Sequence, residues 1–247
     1  MNKILYLTGM HSSGTSLTSN YLQHCGVHMM GNAPTDFLCE DKQFRRTSHK
    51  ILRDSNIHRY AKEEFDHTKI NPSKTTCTLM SNTIINYVGL MRRKNWGWKA
   101  PINSLCIWSW LPMLKSITNG SHEVCIVLIF RHPTEVIQSF YRRKSNKDLN
   151  FIGSLSKEPY SNIESIWYNY NKSVLDFYKQ SEGFNLIVVR TKDLIENPTV
   201  LTKALDLEQA DFSVIFNKKR FKEEKKLIFR LEKSKPLWDE LMDLRIR

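Results

Sequence analysis

No apolar run in this chain approaches the roughly 18 residues that a bilayer-spanning helix requires, so no segment is expected to cross a membrane. Cysteine is scarce and badly placed for cross-linking. Cys25, Cys39, Cys77, Cys106 and Cys125 are odd in number, scattered, and form no C-x-x-C pair. That pattern argues against a disulfide framework or a thiolate metal cluster, and it reads as reduced thiols packed like small apolar side chains. Acidic residues are also short. Asp and Glu total 25 against 37 Lys and Arg, a formal net charge of +12. Such a balance favours anionic partners, among them nucleotide phosphates, sulfated or phosphorylated compounds, nucleic acid and anionic membrane surfaces, without choosing among them. The first apolar stretch is too short for a signal peptide and leads straight into a glycine loop, so a cytoplasmic protein is expected. No internal repeat or low-complexity segment is present.

What the chain does have is a core. Of its 247 residues, 40% are hydrophobic, and six Trp, nine Tyr and twelve Phe supply bulk. The simplest expectation is one domain over residues 1–247, with a charged, partly helical extension from about 210 onward. Basic clusters at Lys218-Lys219-Arg220 and Lys225-Lys226 fall in that extension.

Near the N-terminus, Ile4-Leu5-Tyr6-Leu7 is followed by Gly9-Met10-His11-Ser12-Ser13-Gly14-Thr15-Ser16 and then by a helical pattern from Leu17 to Cys25. A buried strand running through a glycine-flanked loop into a helix N-terminus presents backbone N–H groups and the positive end of a helix dipole to an anion. The spacing is that of the nucleotide-binding P-loop, G-x-x-x-x-G-K-[ST], with Thr15 in place of the lysine. The cation that reaches the β/γ-phosphates of ATP is therefore missing.

Further apolar runs at Trp96-Gly97-Trp98-Lys99, Val124 to Phe130 and Leu186 to Val189 read as strands, the second as a central one buried on both faces. Between them lie helical patterns. One opens at Glu40-Asp41 and reaches about Tyr60, one covers Lys74 to Arg93, and one covers Ile102 to Ile117, with Pro112 expected to kink or divide it. Glu135 to Lys144 and Tyr160 to Gln180 are also helical, and another helix starts near Pro198. Ser145 to Pro159 reads as a surface loop. Strands alternating with helices predict an α/β fold, a mainly parallel sheet flanked by helices on both faces and of the P-loop nucleotide-binding type. Ligands in such sheets bind beyond the carboxyl ends of the strands, the edge that collects Gly9 to Ser16, Lys99 and Arg131.

Arg131 ends the central strand, and Ser139 follows eight residues later, about two helical turns on. A guanidinium and a hydroxyl so placed can hold one phosphate between them. Beside an anion loop that lacks its lysine, they point to a nucleotide with phosphates in two places. In GMHSSGTS, FLCEDKQF, WGWKAP, FRHPTEVIQS and VVRTKDLIENP, in that order over about residues 4–200, the chain resembles the P-loop-related sulfotransferases, particularly their bacterial and carbohydrate-modifying branches.

That resemblance implies 3′-phosphoadenosine 5′-phosphosulfate as donor, adenosine 3′,5′-bisphosphate as product, and no metal requirement. Ser12, Ser13, Gly14, Thr15 and Ser16 would hold the 5′-phosphate, and Arg131 with Ser139 the 3′-phosphate. Lys99 would face the sulfuryl and bridging oxygens. Glu40 is the implied general base, with His11 and His49 as alternatives, and Arg220 is a further candidate for the 3′-phosphate. The acceptor would bear a hydroxyl or an amine, as a carbohydrate or small metabolite does. Three positions depart from the family pattern. Ser12 stands where relatives carry Lys or Arg, Ala100 where many carry Asp, and Thr191-Lys192-Asp193 where many carry Tyr-Glu-Asp, which removes an aromatic contact near the nucleotide. Two other readings stay open: a P-loop nucleotide kinase, and a non-catalytic nucleotide-binding relative. No specific nucleic acid is expected, that reading resting on charge alone. The oligomeric state is undefined, and the acceptor pocket is expected from the segments around 31–60 and 145–159.

Overall fold

A computed structural model describes residues 2–31, 39–91, 94–142, 159–216 and 231–246. The chain forms β1 (Lys3–Thr8), α1 (Thr15–His24), β2 (His28–Met30), α2 (Lys42–Asp54), α3 (Lys74–Leu90), β3 (Trp96–Lys99), α4 (Asn103–Thr118) and β4 (Glu123–Phe130). It continues through α5 (Pro133–Arg142), α6 (Tyr160–Gln180), β5 (Asn185–Arg190), α7 (Thr191–Glu196), α8 (Thr199–Leu205) and α9 (Lys235–Leu244). All five strands pair in parallel, in the order β2-β3-β1-β4-β5. The expected α/β sheet is therefore present, and it is wholly parallel among the described residues.

The sheet is buried on both faces because side chains alternate along each strand. Ile4 and Tyr6 of β1 point into one core with Trp96, Trp98, Ile126 and the apolar sides of α4 and α6. Leu5 and Leu7 point into the other with Tyr21, Val127, Val189 and Leu201. From β1 the chain first builds outward through β2 and β3, then crosses to β4 and β5 on the opposite side. The carboxyl end of β1 is thus the point where the winding reverses, the place where ligands bind in sheets of this kind. The glycine loop sits at that end.

Several expectations are corrected. The region from Glu40 to Tyr60 is not one helix: α2 ends at Asp54, Ser55 is its C-cap, and Asn56 takes a positive φ of 55°. Pro112 does not divide α4 into two elements. It lies on the exposed side of the helix, where water can satisfy the carbonyl its missing N–H leaves. The helix expected near Pro198 is α8, with Pro198 as its N-cap, whereas the short edge strand β2 and the helix α7, which begins immediately at the end of β5, were absent from the sequence reading. Trp96 and Trp98 are fully buried packing residues, Trp98 stacked on Phe44 at 4.2 Å between centroids. Lys144, most of the surface loop 145–159, Arg220 and both basic clusters lie outside the described residues. The last described residues return to the sheet: Ile246 N–H donates to Val188 O at 3.0 Å, covering part of the β5 edge.

Candidate active site

The loop between β1 and α1 depends on two glycines. Gly9 has φ 146°, and a Cβ there would stand 2.1 Å from the carbonyl oxygen of Ile129 on β4. Gly14 has φ 86°, and its Cβ would meet the Thr191 methyl at 2.8 Å. Both positions need a residue without a side chain, for backbone conformation and for space. Ser12 is also held at a positive φ of 69°. The chain closes on itself through Ser13 N–H to Met10 O at 3.1 Å, and Thr18 N–H reaches Gly14 O at 3.0 Å to start α1. No side chain caps that helix, so its first N–H groups carry the positive end of the dipole without a side-chain acceptor.

Two hydroxyls of the loop, Ser12 Oγ and Ser13 Oγ, are buried and have no hydrogen-bond partner among the described residues. A buried hydroxyl without a partner is costly. An oxyanion seated in the loop would supply that partner, so these residues fit a phosphate. Thr15, at the position of the P-loop lysine, is itself 4% exposed.

Thr191 anchors the loop from the other side. Its Oγ1 lies 2.6 Å from Ser13 O, to which it donates, and 3.1 Å from Phe130 O. A short polar side chain at the end of β5 therefore ties the anion loop to the end of β4. The sequence reading took Thr191 only as the loss of an aromatic contact. A threonine placed directly after a strand was the available signal. Thr191→Val keeps the shape and removes the hydroxyl, leaving the buried Ser13 carbonyl short of its donor. Calorimetry should find the affinity for adenosine 3′,5′-bisphosphate reduced about tenfold in this variant and restored by Thr191→Ser. Wild-type affinity in Thr191→Val would show that the loop holds its shape without the tie.

The C-terminal end of β3, next to β1 in the sheet, delivers Lys99. Its register partner is Leu7, which carries the lysine alongside the start of the loop. Lys99 is 2% exposed, and its Nζ donates to Ser16 Oγ and to Glu40 Oε1, each at 3.2 Å. The carboxylate reaches this place because the backbone of Glu40 and Asp41 packs on Gly31, just past β2. A Cβ on Gly31 would lie 2.2 Å from both Glu40 C and Asp41 N. Asp41 then has a different task from its neighbour. Its Oδ1 caps α2 by accepting from Gln43 N–H and Phe44 N–H at 2.8 and 2.9 Å, and its Oδ2 accepts from the Tyr87 hydroxyl at 2.7 Å. Of the two acids, Glu40 alone pairs with Lys99, and its side chain is 11% exposed.

His11 extends from the loop toward two tyrosines, with its ring centroid 6.2 Å from Tyr60 and 6.1 Å from Tyr170. Neither tyrosine was among the predicted site residues. His49 sits on α2 and lines a different cleft. Burial, then the neighbouring Arg59 and Arg45, push its imidazole below the ordinary histidine value.

At the carboxyl end of β4, Arg131 Nε donates to Glu135 Oε2 at 3.0 Å, one turn into α5. Ser139 lies one turn farther along the same helix and is 8% exposed. Trp167 Nε1 donates to Arg131 O at 2.9 Å, and the His132 ring meets Trp238 of α9 edge-on at 4.6 Å. The structure thus brings Lys99, Glu40 and Ser16 into one hydrogen-bonded group, and sets Arg131 between the central strand and α5, with Ser139 within α5. No group of three or more His, Cys, Asp or Glu residues that could hold a metal occurs among the described residues. No helix among them is long and apolar enough to cross a membrane.

A doubly wound parallel sheet with a glycine-flanked anion loop at its reversal point is an α/β fold of the P-loop type. No protein-family model and no curated protein matches the chain. Among solved structures, it is similar to a sulfotransferase domain from the Synechococcus PCC 7002 olefin synthase, at 21% identity and a TM-score of 0.47, covering 83% of this chain and 72% of that one. It is also similar to a sulfotransferase domain from the curacin biosynthetic pathway, at 19% identity and a TM-score of 0.46, covering 83% and 73% respectively. Likeness at this level leaves the reading of the site to its own geometry.

Proposed function

We propose that the protein transfers a sulfuryl group from 3′-phosphoadenosine 5′-phosphosulfate to a hydroxyl or amine of a carbohydrate or small-metabolite acceptor. The observation that carries this reading is the buried Lys99, held between Glu40 and Ser16 at the mouth of a loop whose serine hydroxyls await an oxyanion. When bound, the donor supplies a sulfuryl group on a phosphate leaving group.

The chain's own residues then divide the work. Backbone N–H groups from Gly14 to Ser16, with the Ser12 and Ser13 hydroxyls, hold the 5′-phosphate at the helix N-terminus. Arg131 and Ser139 take the 3′-phosphate. Glu40 accepts the proton of the acceptor hydroxyl as its oxygen bonds to sulfur. Lys99 neutralises the charge that grows on the bridging oxygen as the bond from sulfur to that oxygen breaks. Lys99 is pre-positioned for this, because Ser16 and Glu40 fix its ammonium from two sides. With Ser12 in the place of a basic residue, Lys99 is the leaving-group cation. His11 faces the tyrosines and lines the approach of the acceptor. A kinase reading is weaker, since Thr15 supplies no charge to a γ-phosphate and is itself buried.

Incubation with donor labelled in its sulfuryl group, and with fractionated glycans, lipids and small metabolites, tests the reading. Labelled acceptor should accumulate without added magnesium. Transfer of label only from γ-labelled ATP would overturn it.

A further inference from the structure

Resting on the sulfuryl-transfer reading, we infer that Asn20 of α1 is a positioning residue for the base, holding Glu40 in place through the thiol of Cys39. The starting observation is a polar seam along α1. Ser16, Asn20 and Gln23 stand at i, i+4 and i+7, so their side chains share one face of the helix. Each accepts one hydrogen bond from a different part of the site. Ser16 Oγ takes Lys99 Nζ at 3.2 Å, Asn20 Oδ1 takes the Cys39 thiol at 3.2 Å, and Gln23 Oε1 takes Met29 N–H of β2 at 2.8 Å. The helix whose N-terminus receives the donor phosphate therefore also grips the lysine and the segment that carries the base.

Cys39 immediately precedes Glu40, so a bond to its side chain acts one peptide away from the residue that bears the carboxylate. It is 3% exposed and holds a φ of 50°, a left-handed conformation that a residue with a Cβ keeps only where its surroundings fix it. On the other side of Glu40, Asp41 caps α2. Gly31, which follows β2, packs against the peptide between Glu40 and Asp41, and Gln23 holds β2 to α1. The backbone of Glu40 is thus held by α1, by the end of β2 and by the start of α2. The contact with Lys99 cannot do this alone. As the bond from sulfur to the bridging oxygen breaks, Lys99 serves that oxygen, and Glu40 must keep its aim while its partner is shared. Misplacing a reacting group by about 1 Å can cost about a hundredfold in rate. A tie next to the base therefore matters even though a thiol is a weak donor.

Asn20→Leu, Cys39→Gly and the double variant, assayed with labelled donor at saturation, test this. Leucine is the better helix former, and glycine takes a positive φ readily, so neither change acts by breaking the backbone. With phenol, un-ionised at neutral pH, each single variant should lose about tenfold in kcat. The double variant should lose no more than either, since both changes remove one tie. Cys39→Ser keeps a donor and should turn over close to the wild-type rate. With pentafluorophenol, already ionised and in no need of a base, all variants should approach wild type, and all should bind adenosine 3′,5′-bisphosphate as wild type does. A readout without turnover is the carboxyl-carbon resonance of Glu40, identified by its absence from Glu40→Gln. It should move in Asn20→Leu and stay in place in Cys39→Ser. An unmoved resonance in Asn20→Leu, equal deficits with the two phenols, or deficits that multiply in the double variant overturn the inference and leave donor binding untouched. If the bisphosphate does not bind wild type, the sulfuryl-transfer reading itself fails, and this inference with it.

Discussion

Lys99→Met is expected to lower the rate of sulfuryl transfer by about a thousandfold, the upper range for losing one donor aimed at a developing oxyanion. Methionine retains the length and the packing of the buried stem, so what disappears is the charge. The bisphosphate, which carries no developing charge, should still bind within a few-fold of wild type, because the loop N–H groups and Arg131 remain. The loss should therefore appear in kcat. A structural role for Lys99 predicts a different pattern. Removing one member of a buried ion pair leaves Glu40 uncompensated and destabilises the fold by about 3–5 kcal/mol, but a folded variant would then turn over at nearly the wild-type rate. Measuring kcat and thermal stability on the same sample separates the two, and a folded Lys99→Met within fivefold of wild type would remove Lys99 from the mechanism.

Glu40→Gln is expected to cost about 10²–10⁴-fold in kcat, the range for a positioned general base. The amide keeps the shape and can still accept from Lys99 through its oxygen, but it cannot take the acceptor proton. Bisphosphate affinity should again hold. The decisive control is an acceptor that needs no base. A phenol with a low pKa, already ionised at neutral pH, should regain most of the lost rate with Glu40→Gln. An equal deficit with ionised and un-ionised acceptors would mean that Glu40 serves only to hold Lys99, and would return the base role to His11 or His49. Asp41 offers a contrast one residue away. Asp41→Ala should cost about 1 kcal/mol of stability by removing the α2 cap, with transfer retained in the folded protein.

Much of the fold could be read from the chain because four of the strands are apolar runs with glycine, proline or charge at their ends. Val124 to Phe130 could be little else. β2 could not be read the same way: His28–Met30 spans three residues, its first is exposed, and it exists as a strand through its pairing with β3. The early end of α2 was equally hidden, because the residues after Asp54 remain polar and helix-compatible until Asn56 turns left-handed.

At the site, the anion loop was legible because its chemistry is local, with glycines, hydroxyls and a helix start within eight residues. The Lys99–Glu40 contact joins residues 59 apart in the chain. Spacing could nominate each partner, and only the sheet order that sets β3 beside β1 brings them together. Thr191 shows the opposite case. Compared with a pattern, it was a lost aromatic; in the fold, its hydroxyl ties two strand ends to the loop. Arg131 and Ser139 were nominated as a pair, and the fold places Arg131 just before α5 and Ser139 within it, with Glu135 taking the guanidinium. Phosphate binding there would have to win Arg131 from that carboxylate, which is partly exposed.

The central claim, a loop built for a phosphosulfate donor rather than a nucleoside triphosphate, is tested most directly by competitive calorimetry of adenosine 3′,5′-bisphosphate against ATP, with and without magnesium. The bisphosphate should bind at least about tenfold more tightly, a difference of about 1.4 kcal/mol, and magnesium should leave its affinity unchanged. Tighter binding of magnesium-ATP would contradict the account.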